Sequence, residues 1–202
     1  MLIPLHPQHP QPRNLKSVVE CLGKGGVIIY PTDTVYAFGC DIFQPRAVER
    51  ICRLKGVDPE KARLTIICSD LSDLSRYARS IDTPFFRILK KHVPGPFTFI
   101  LPASREVPKI LKGRKDTIGL RVPDHPIPLH IIRELGHPIL SSSLPGEMIE
   151  EYTDPECIHD RFGKLVDMVV DGGIGGFHYS TMIDLTGDEP IVIRQGMGEF
   201  TP

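Results

Sequence analysis

Hydroxyl and carboxylate side chains cluster directly after an apolar run near the start of the chain. The segment Val27–Tyr30 is apolar and largely β-branched, which predicts a buried strand, and Pro31 should end it because proline cannot donate to a sheet. Thr32, Asp33 and Thr34 follow at once. Ligands bind at strand ends in open α/β sheets, so these three residues could hold a polar ligand. The alternative interpretation is a strand-ending turn capped by Thr and Asp.

Cations and further hydroxyls stand at the ends of other apolar segments, where a surface group is least expected. The cations are Lys55, Arg63, Arg121 and Arg194. The hydroxyls are Ser142, Ser180 and Thr181. If the cations converge they could hold phosphates, because Arg forks and Lys point charges match phosphate oxygens. Taken singly, each cation is equally well a salt-bridge partner and each hydroxyl a cap or turn residue.

Strand-like and helix-like segments alternate along the chain, which is typical of an α/β protein. Helices are predicted from Asn14 to about Gly23, Pro45 to Gly56, Asp70 through Tyr77, Thr83 onward, and about Ile127 to Leu135. Strands are predicted at Val27–Tyr30, Leu64–Cys68, Phe97–Leu101, Thr117–Val122, Pro138–Ser142, Val166–Val170, Thr181–Leu185 and Pro190–Arg194. The hairpin-type turn Thr186–Glu189 joins the last two strands, which indicates a mixed sheet. The acidic segment Pro145–Pro155 is either a solvated loop or a lid.

Composition places the chain among single-domain proteins. Its 202 residues are 41% hydrophobic and 24% charged, with a net charge of −1. These values favour one soluble domain and give no global signal for nucleic-acid or membrane binding, so any anion site must be a local concentration of Lys and Arg. No apolar run approaches transmembrane length. Residues 1–13 are rich in proline and lack a signal-peptide pattern, so we predict an extended N-terminal arm beside a core of about residues 15–198.

Cysteine and glycine patterns exclude several kinds of site. The five cysteines form no CxxC pair, so no metal site is predicted. In the absence of a secretory signal they predict reduced thiols and a cytoplasmic protein. Cys52 and Cys68 are predicted to lie in the core. No GxxxxGK[ST] motif is present, which excludes a Walker-type phosphate loop. Gly172–Gly176 is not a GxGxxG motif that opens a helix, so it is predicted to be a loop.

Five segments in order resemble the signatures of one family. Lys24–Tyr36 reads KGGVIIYPTDTVY, Pro94–Leu101 reads PGPFTFIL, Ile118–His125 reads IGLRVPDH, Ile139–Ser143 reads ILSSS, and STMID at Ser180–Asp184 precedes RQG at Arg194–Gly196. Together they resemble the YrdC/YciO family, which includes the threonylcarbamoyl-AMP synthases. The resemblance runs from about Leu15 to Gly198. It implies a single α/β domain whose twisted mixed parallel/antiparallel sheet is flanked by helices and has a concave basic face.

The resemblance also implies a function in tRNA threonylcarbamoyladenosine metabolism. The synthases join bicarbonate and threonine into a carbamate, which attacks the α-phosphate of ATP and releases pyrophosphate. This chemistry needs positioning and charge stabilisation but no covalent nucleophile, so no catalytic residue is assigned. Mg²⁺ would be held by the phosphates and not by a protein cage. The nucleotide phosphates are expected at Lys55, Arg63, Ser142 and Arg194, and the threonine at Thr32, Thr34, Arg121 and Ser180.

Two positions depart from the synthase pattern. The synthases carry Lys-x-Arg and Ser-x-Asn. In this chain Lys55 and Ser142 are kept, but Val57 stands where the arginine is expected and Leu144 where the asparagine is expected. These departures make the YciO branch the closer likeness, and Arg63 could replace the lost charge. Two other functions therefore stay open. The cavity could bind double-stranded RNA or tRNA without catalysis, or it could run related nucleotidyl or carbamoyl chemistry on another small substrate.

Overall fold

The computed structural model describes residues 1–58, 62, 64–112, 116–146 and 149–202. Within these ranges the strands are β1 (Leu2–Pro4), β2 (Ile28–Tyr30), β3 (Ala37–Asp41), β4 (Thr65–Ile67), β5 (Phe97–Pro102), β6 (Thr117–Arg121), β7 (Ile139–Ser143), β8 (Met168–Asp171), β9 (Thr181–Asp184) and β10 (Ile191–Arg194). The helices are α1 (Pro12–Gly23), α2 (Pro45–Lys55), α3 (Leu71–Tyr77), α4 (Thr83–His92), α5 (Pro126–Leu135) and α6 (Pro155–Phe162). Short 3₁₀ turns lie at Lys109–Leu111 and Ile149–Tyr152.

These strands form one mixed sheet in the order β1-β8-β2-β3-β7-β4-β6-β5-β9-β10. The pairs β1–β8, β8–β2, β4–β6 and β5–β9 are parallel, and the other neighbours are antiparallel. The last pair is the hairpin that the turn at Thr186–Glu189 predicts. Asp184 Oδ1 accepts from Thr186 N in that turn, at 2.8 Å. The mixed sheet predicted from the sequence is confirmed.

Apolar side chains cover both faces of the sheet because neighbouring residues of a strand point to opposite sides. Ile29 packs in one core cluster with helices α2, α3, α4 and α6, whereas Ile28 and Tyr30 pack in a second cluster with α1 and α5. Helices therefore flank the sheet on both faces, which confirms the predicted single α/β domain.

The second half of the sheet uses the same alternation to build a polar face. Leu140, Leu120 and Ile183 pack in the larger core cluster, together with Phe99. Their chain neighbours face a cavity on the other side, and these are Ser141, Arg121, Met182 and Thr98. One side of these strands thus anchors the fold while the other side carries functional groups.

Three local features differ from what the sequence predicts. Helix α1 begins at Pro12, and Asn14 is not its cap, since its Nδ2 donates instead to the Pro4 carbonyl at 2.7 Å. Strand β3 was not predicted, because its residues are buried on both faces and show no alternation. Helix α6, which Asp154 caps by accepting from Glu156 N, begins where the acidic segment predicted a loop or lid to end.

The N-terminal arm is also part of the sheet. Leu2–Pro4 pairs in parallel with β8, and Leu5 is buried beyond it. The prolines of this segment do not favour a strand in the sheet, but the three apolar residues between and before them supply the contacts with the body, and these are Leu2, Ile3 and Leu5. The predicted arm is therefore extended, but it is held to the body by backbone hydrogen bonds and burial.

Candidate functional site

A single cavity of about 570 Å³ gathers most of the polar side chains that the sequence singles out. Residues from seven consecutive strands line it, running from β3 through β7, β4, β6, β5 and β9 to β10. A sheet can present seven neighbouring strands to one cavity because its twist curves it around the space. Lys55 at the end of α2, the turn after β2 and the residues directly before β9 also line it.

The turn after β2 carries two hydroxyls in a tight network. Pro31 follows the strand as predicted, and both Thr32 and Thr34 are buried. Thr32 Oγ1 donates to the Val35 carbonyl at 2.8 Å and accepts from Thr34 N at 3.1 Å. The two hydroxyl oxygens lie 3.0 Å apart. Thr32 therefore caps the turn, as one interpretation of the sequence predicts. Thr32 and Thr34 also line the cavity, as the other interpretation predicts.

A buried ion pair lies beside this turn. Arg121 Nη2 is 2.6 Å from Asp33 Oδ1, and the two side chains are 8% and 10% exposed. Arg121 Nη1 also donates to Thr34 Oγ1 at 3.0 Å. Arg121 lines the cavity and Asp33 does not, so the carboxylate stands behind the guanidinium. Arg121 Nε and Asp33 Oδ2 are buried with no hydrogen-bond partner.

A second group of polar side chains lies where β5, β9 and β10 meet. Ser180 Oγ is 2.9 Å from Thr98 Oγ1. Arg194 donates to the Ser180 carbonyl at 2.9 and 3.1 Å and to its hydroxyl at 3.2 Å. The Arg194 guanidinium also lies 5.0 Å from the centre of the Tyr179 ring, a cation–π distance. Burial lowers the pKa of Arg194.

Lys55 brings a third cation to the cavity from the last position of α2. Its Nζ donates to the Ser143 carbonyl at 2.6 Å. Burial lowers the pKa of Lys55, and the positive charge of Arg194 lowers it further. Ser142 lies beside Ser143 near the end of β7 and also lines the cavity. The Ser143 hydroxyl oxygen lies farther from Nζ, at 3.5 Å. A desolvated ammonium whose protein acceptors are neutral is suited to an incoming anion.

The structure brings together seven of the eight predicted site residues. Lys55, Ser142 and Arg194, expected at phosphates, line the cavity with Thr32, Thr34, Arg121 and Ser180, expected at threonine. Arg63 lies outside the described residues. Thr181 does not join them, because its hydroxyl donates to the Gly198 carbonyl at 2.6 Å.

Sequence reasoning missed three contributors. Asp33 was noted in the turn but not as the partner of Arg121, which lies 88 residues away in the chain. Thr98 and Tyr179 line the cavity and were not proposed as site residues. Thr98 stands within the PGPFTFIL segment and Tyr179 precedes Ser180, so proximity to recognised motifs was the available signal.

The two departures from the synthase pattern have different surroundings. Val57 is 39% exposed and lines the cavity, so an apolar side chain stands at its wall. Leu144 is 5% exposed and packs in the larger core cluster.

Three of the five cysteines lie in the core. All five cysteines are free, and Cys40, Cys52 and Cys68 are buried. No group of three or more His, Cys, Asp or Glu residues that could hold a metal ion occurs among the described residues. In the described part of the chain, no helix has the length and apolar character needed to cross a membrane.

Comparisons with known proteins show which family the chain resembles. Residues 20–196 match the Sua5/YciO/YrdC family model, which is described as "Telomere recombination". The YciO protein of Escherichia coli K12, described as uncharacterized, is 46% identical over 98% of this chain and 96% of its own length. A crystal structure of E. coli YciO has a TM-score of 0.91 at 45% identity and covers 98% of this chain and 97% of that one.

More distant relatives have a described activity or a bound ligand. The threonylcarbamoyl-AMP synthase of Coxiella burnetii is 32% identical over 85% of this chain and 91% of its own. The crystal structure of P. abyssi Sua5 complexed with L-threonine has a TM-score of 0.87 at 28% identity, and it covers 97% of this chain and 57% of that one. The resemblance predicted from the five segments is thereby confirmed, and the chain belongs to the Sua5/YciO/YrdC family.

Proposed function

We propose that the protein binds ATP with Mg²⁺, L-threonine and bicarbonate in this cavity and forms threonylcarbamoyl-AMP and pyrophosphate. The product would serve tRNA threonylcarbamoyladenosine metabolism. The synthases at about 30% identity and the L-threonine complex of a Sua5 with the same fold support this proposal. The observation that carries it is the convergence of Lys55, Arg194, Arg121, Thr34 and Ser180 on one cavity.

The size of the cavity favours small substrates. Its volume of about 570 Å³ lies within the range of roughly 300–1,000 Å³ that is usual for small-molecule and cofactor sites. The lining combines apolar walls with a few polar groups, which is the common composition of such sites.

We assign the two ends of the cavity to different ligands. The threonine carboxylate would meet the free N–H groups of Arg121, with Thr34 and Ser180 nearby. The phosphates would meet Lys55, Arg194 and Ser142, because an ammonium and a guanidinium can offset phosphate charge. Mg²⁺ bound to the phosphates would neutralise part of their charge.

In this arrangement the protein acts by position and electrostatics. The threonine amine attacks the carbon of bicarbonate and forms the carbamate with loss of one water. A carbamate oxygen then attacks the α-phosphate in line with the departing pyrophosphate. Holding the ligands in one small cavity replaces a multi-molecular encounter with a local reaction. Lys55 and Arg194 would stabilise the charge that develops on the phosphate oxygens.

Val57 should weaken this protein as a synthase. Loss of one charge-assisted phosphate contact costs about 1.5–3 kcal/mol, or roughly ten- to a hundred-fold in affinity. We therefore expect weaker nucleotide binding than in a family member with arginine at this position.

The alternative of a non-catalytic RNA-binding module is not favoured. None of the relatives above is described as an RNA-binding protein. A net charge of −1 also gives no broad attraction for a polyanion.

The test is pyrophosphate release by the purified protein with ATP, Mg²⁺ and bicarbonate, with and without L-threonine. We expect threonine-dependent release that Ser180→Ala and Lys55→Met reduce at least ten-fold. Ser75→Ala and Lys16→Met are matched controls, since the Ser75 hydroxyl donates to the Leu71 carbonyl in its own helix and Lys16 is highly exposed. Absence of threonine-dependent release at saturating substrates would exclude the proposed reaction.

A further inference from the structure

The hydroxyl of Thr32 is saturated by the protein itself. Its single proton goes to the Val35 carbonyl at 2.8 Å. Thr32 Oγ1 accepts from Thr34 N at 3.1 Å through one lone pair. Its second lone pair is left for Thr34 Oγ1, and the two hydroxyl oxygens are 3.0 Å apart. A hydroxyl has one donor and two acceptor sites, so Thr32 has nothing left for a ligand although it lines the cavity.

This saturation fixes the direction of the neighbouring hydrogen bond. Since the Thr32 proton is committed to Val35, Thr34 must be the donor in the contact between the two hydroxyls. Thr34 Oγ1 also accepts from Arg121 Nη1 at 3.0 Å. Its proton and one lone pair are therefore used, and what remains is a single acceptor site.

Arg121 presents the opposite polarity. Its Nη2 donates to Asp33 at 2.6 Å and its Nη1 to Thr34, and each of these nitrogens keeps one further N–H. Asp33 lies behind the guanidinium and outside the cavity lining, so it orients Arg121 without contacting a ligand there. The residues Thr32, Asp33, Thr34 and Arg121, here named the floor cluster, thus place an acceptor next to donors.

We propose that Thr32 and Asp33 are positioning residues that set the hydrogen-bond polarity of the floor cluster. Thr32 leaves Thr34 with only an acceptor, whereas Arg121 has only donors by its chemistry and Asp33 fixes the direction in which they point. The cluster then selects a ligand that carries an N–H or O–H donor beside a carboxylate. This inference rests on the proposed function and deepens it, because L-threonine has a carboxylate flanked by both an amine and a hydroxyl.

The polarity can be tested without any ligand. In NMR spectra of the protein, the Thr34 hydroxyl proton should exchange slowly with water because Thr32 holds it. The signal should vanish in Thr32→Val, which keeps the shape and removes the oxygen, and persist in Thr32→Ser. Rapid exchange in the unmodified protein, or a signal that survives Thr32→Val, would overturn the proposal.

The consequence for recognition is tested by calorimetric titration with L-threonine and three analogues. 2-Aminobutyrate lacks the hydroxyl, 3-hydroxybutyrate lacks the amine, and L-threoninol lacks the carboxylate. In Thr32→Val, the preference for L-threonine over one of the first two should fall at least about five-fold, the worth of one hydrogen bond. Whichever preference falls identifies the group that Thr34 accepts from, and Thr32→Ser should retain both preferences.

Asp33→Asn provides an independent arm should Thr32→Val fail to fold. It should reduce the preference for L-threonine over L-threoninol about ten-fold, because Arg121 is no longer held for the carboxylate. A purely structural role would weaken all four ligands equally and leave every preference unchanged, which would overturn the proposal. If the unmodified protein binds no L-threonine, the proposed function fails, while the hydroxyl exchange still decides the polarity.

Discussion

Removing the charge of Asp33 should destabilise the protein strongly, because Asp33 is the salt-bridge partner of a buried guanidinium. Arg121 Nη2 lies 2.6 Å from Asp33 Oδ1, and the side chains are 8% and 10% exposed. Breaking a buried ion pair from one side costs about 3–5 kcal/mol, since the other charge stays buried. Asparagine keeps one acceptor for Arg121, so we expect Asp33→Asn to cost about 3 kcal/mol.

Urea unfolding and thermal melting measure this loss. For a domain of this size, 1 kcal/mol corresponds to a shift of about 2–4 °C in Tm, so Asp33→Asn should lower Tm by about 6–12 °C. Arg121→Met leaves the carboxylate buried alone and should cost a similar amount. The double variant removes both charges together, and it should be more stable than the sum of the single losses by about 2 kcal/mol or more.

The exposed pair Arg161–Glu151 is the matched control for this cycle. Its atoms lie 3.0 Å apart, but the side chains are 57% and 43% exposed. The corresponding cycle with Arg161→Met and Glu151→Gln should give a coupling of about 0–1 kcal/mol, because water screens exposed charges. Additive losses at Asp33 and Arg121, or equal couplings at the two pairs, would refute the reasoning from burial.

Three further substitutions test other parts of the structure. Lys55→Met should raise Tm at neutral pH, because burial lowers the pKa of Lys55 and the charged lysine therefore destabilises the folded protein, and it should weaken nucleotide binding. The increase in Tm should disappear as pH rises toward the ordinary lysine pKa of about 10.4, where the unfolded chain also loses the charge. An increase in Tm that does not depend on pH would contradict this cause. Leu5→Ala should cost about 2–4 kcal/mol in urea unfolding because Leu5 is 1% exposed, whereas a loss below about 0.5 kcal/mol would show that the N-terminal segment is dispensable. Gly176→Ala should cost about 1–3 kcal/mol and reduce threonine-dependent turnover, since its Cβ would meet the Thr34 carbonyl, while Gly187→Ala, with open space, should leave turnover unchanged.

Much of the sheet was predictable because local residue patterns indicate where strands and helices begin and end. Pro31 ends a β-branched run and Gly56 ends α2 in a left-handed conformation, so both boundaries could be placed from residue type. Strand β3 could not be predicted this way. Its five residues are buried on both sides of the sheet, and a short segment without alternation does not distinguish a strand from other buried chain.

The candidate site was predictable only in part for a related reason. Thr34, Arg121 and Ser180 stood out because polar residues end apolar runs, and a resemblance over five segments tied them together. The partner of Arg121 did not stand out, since nothing in a local pattern relates Asp33 to a residue 88 positions later. The direction of the hydroxyl hydrogen bonds likewise depends on which carbonyl Thr32 meets after folding.

Residue types specify which residues lie at strand ends, since apolar periodicity, proline and glycine act over a few neighbouring residues. The sequence by itself also determines the family, through motifs that are each local. The order of the strands, in contrast, is established only when the chain folds. It places β4 between β7 and β6 and brings Lys55, Arg121 and Arg194 around one cavity. That order depends on long-range pairing and on burial of both sheet faces. These contacts join residues that are distant in the chain, and no local pattern specifies them.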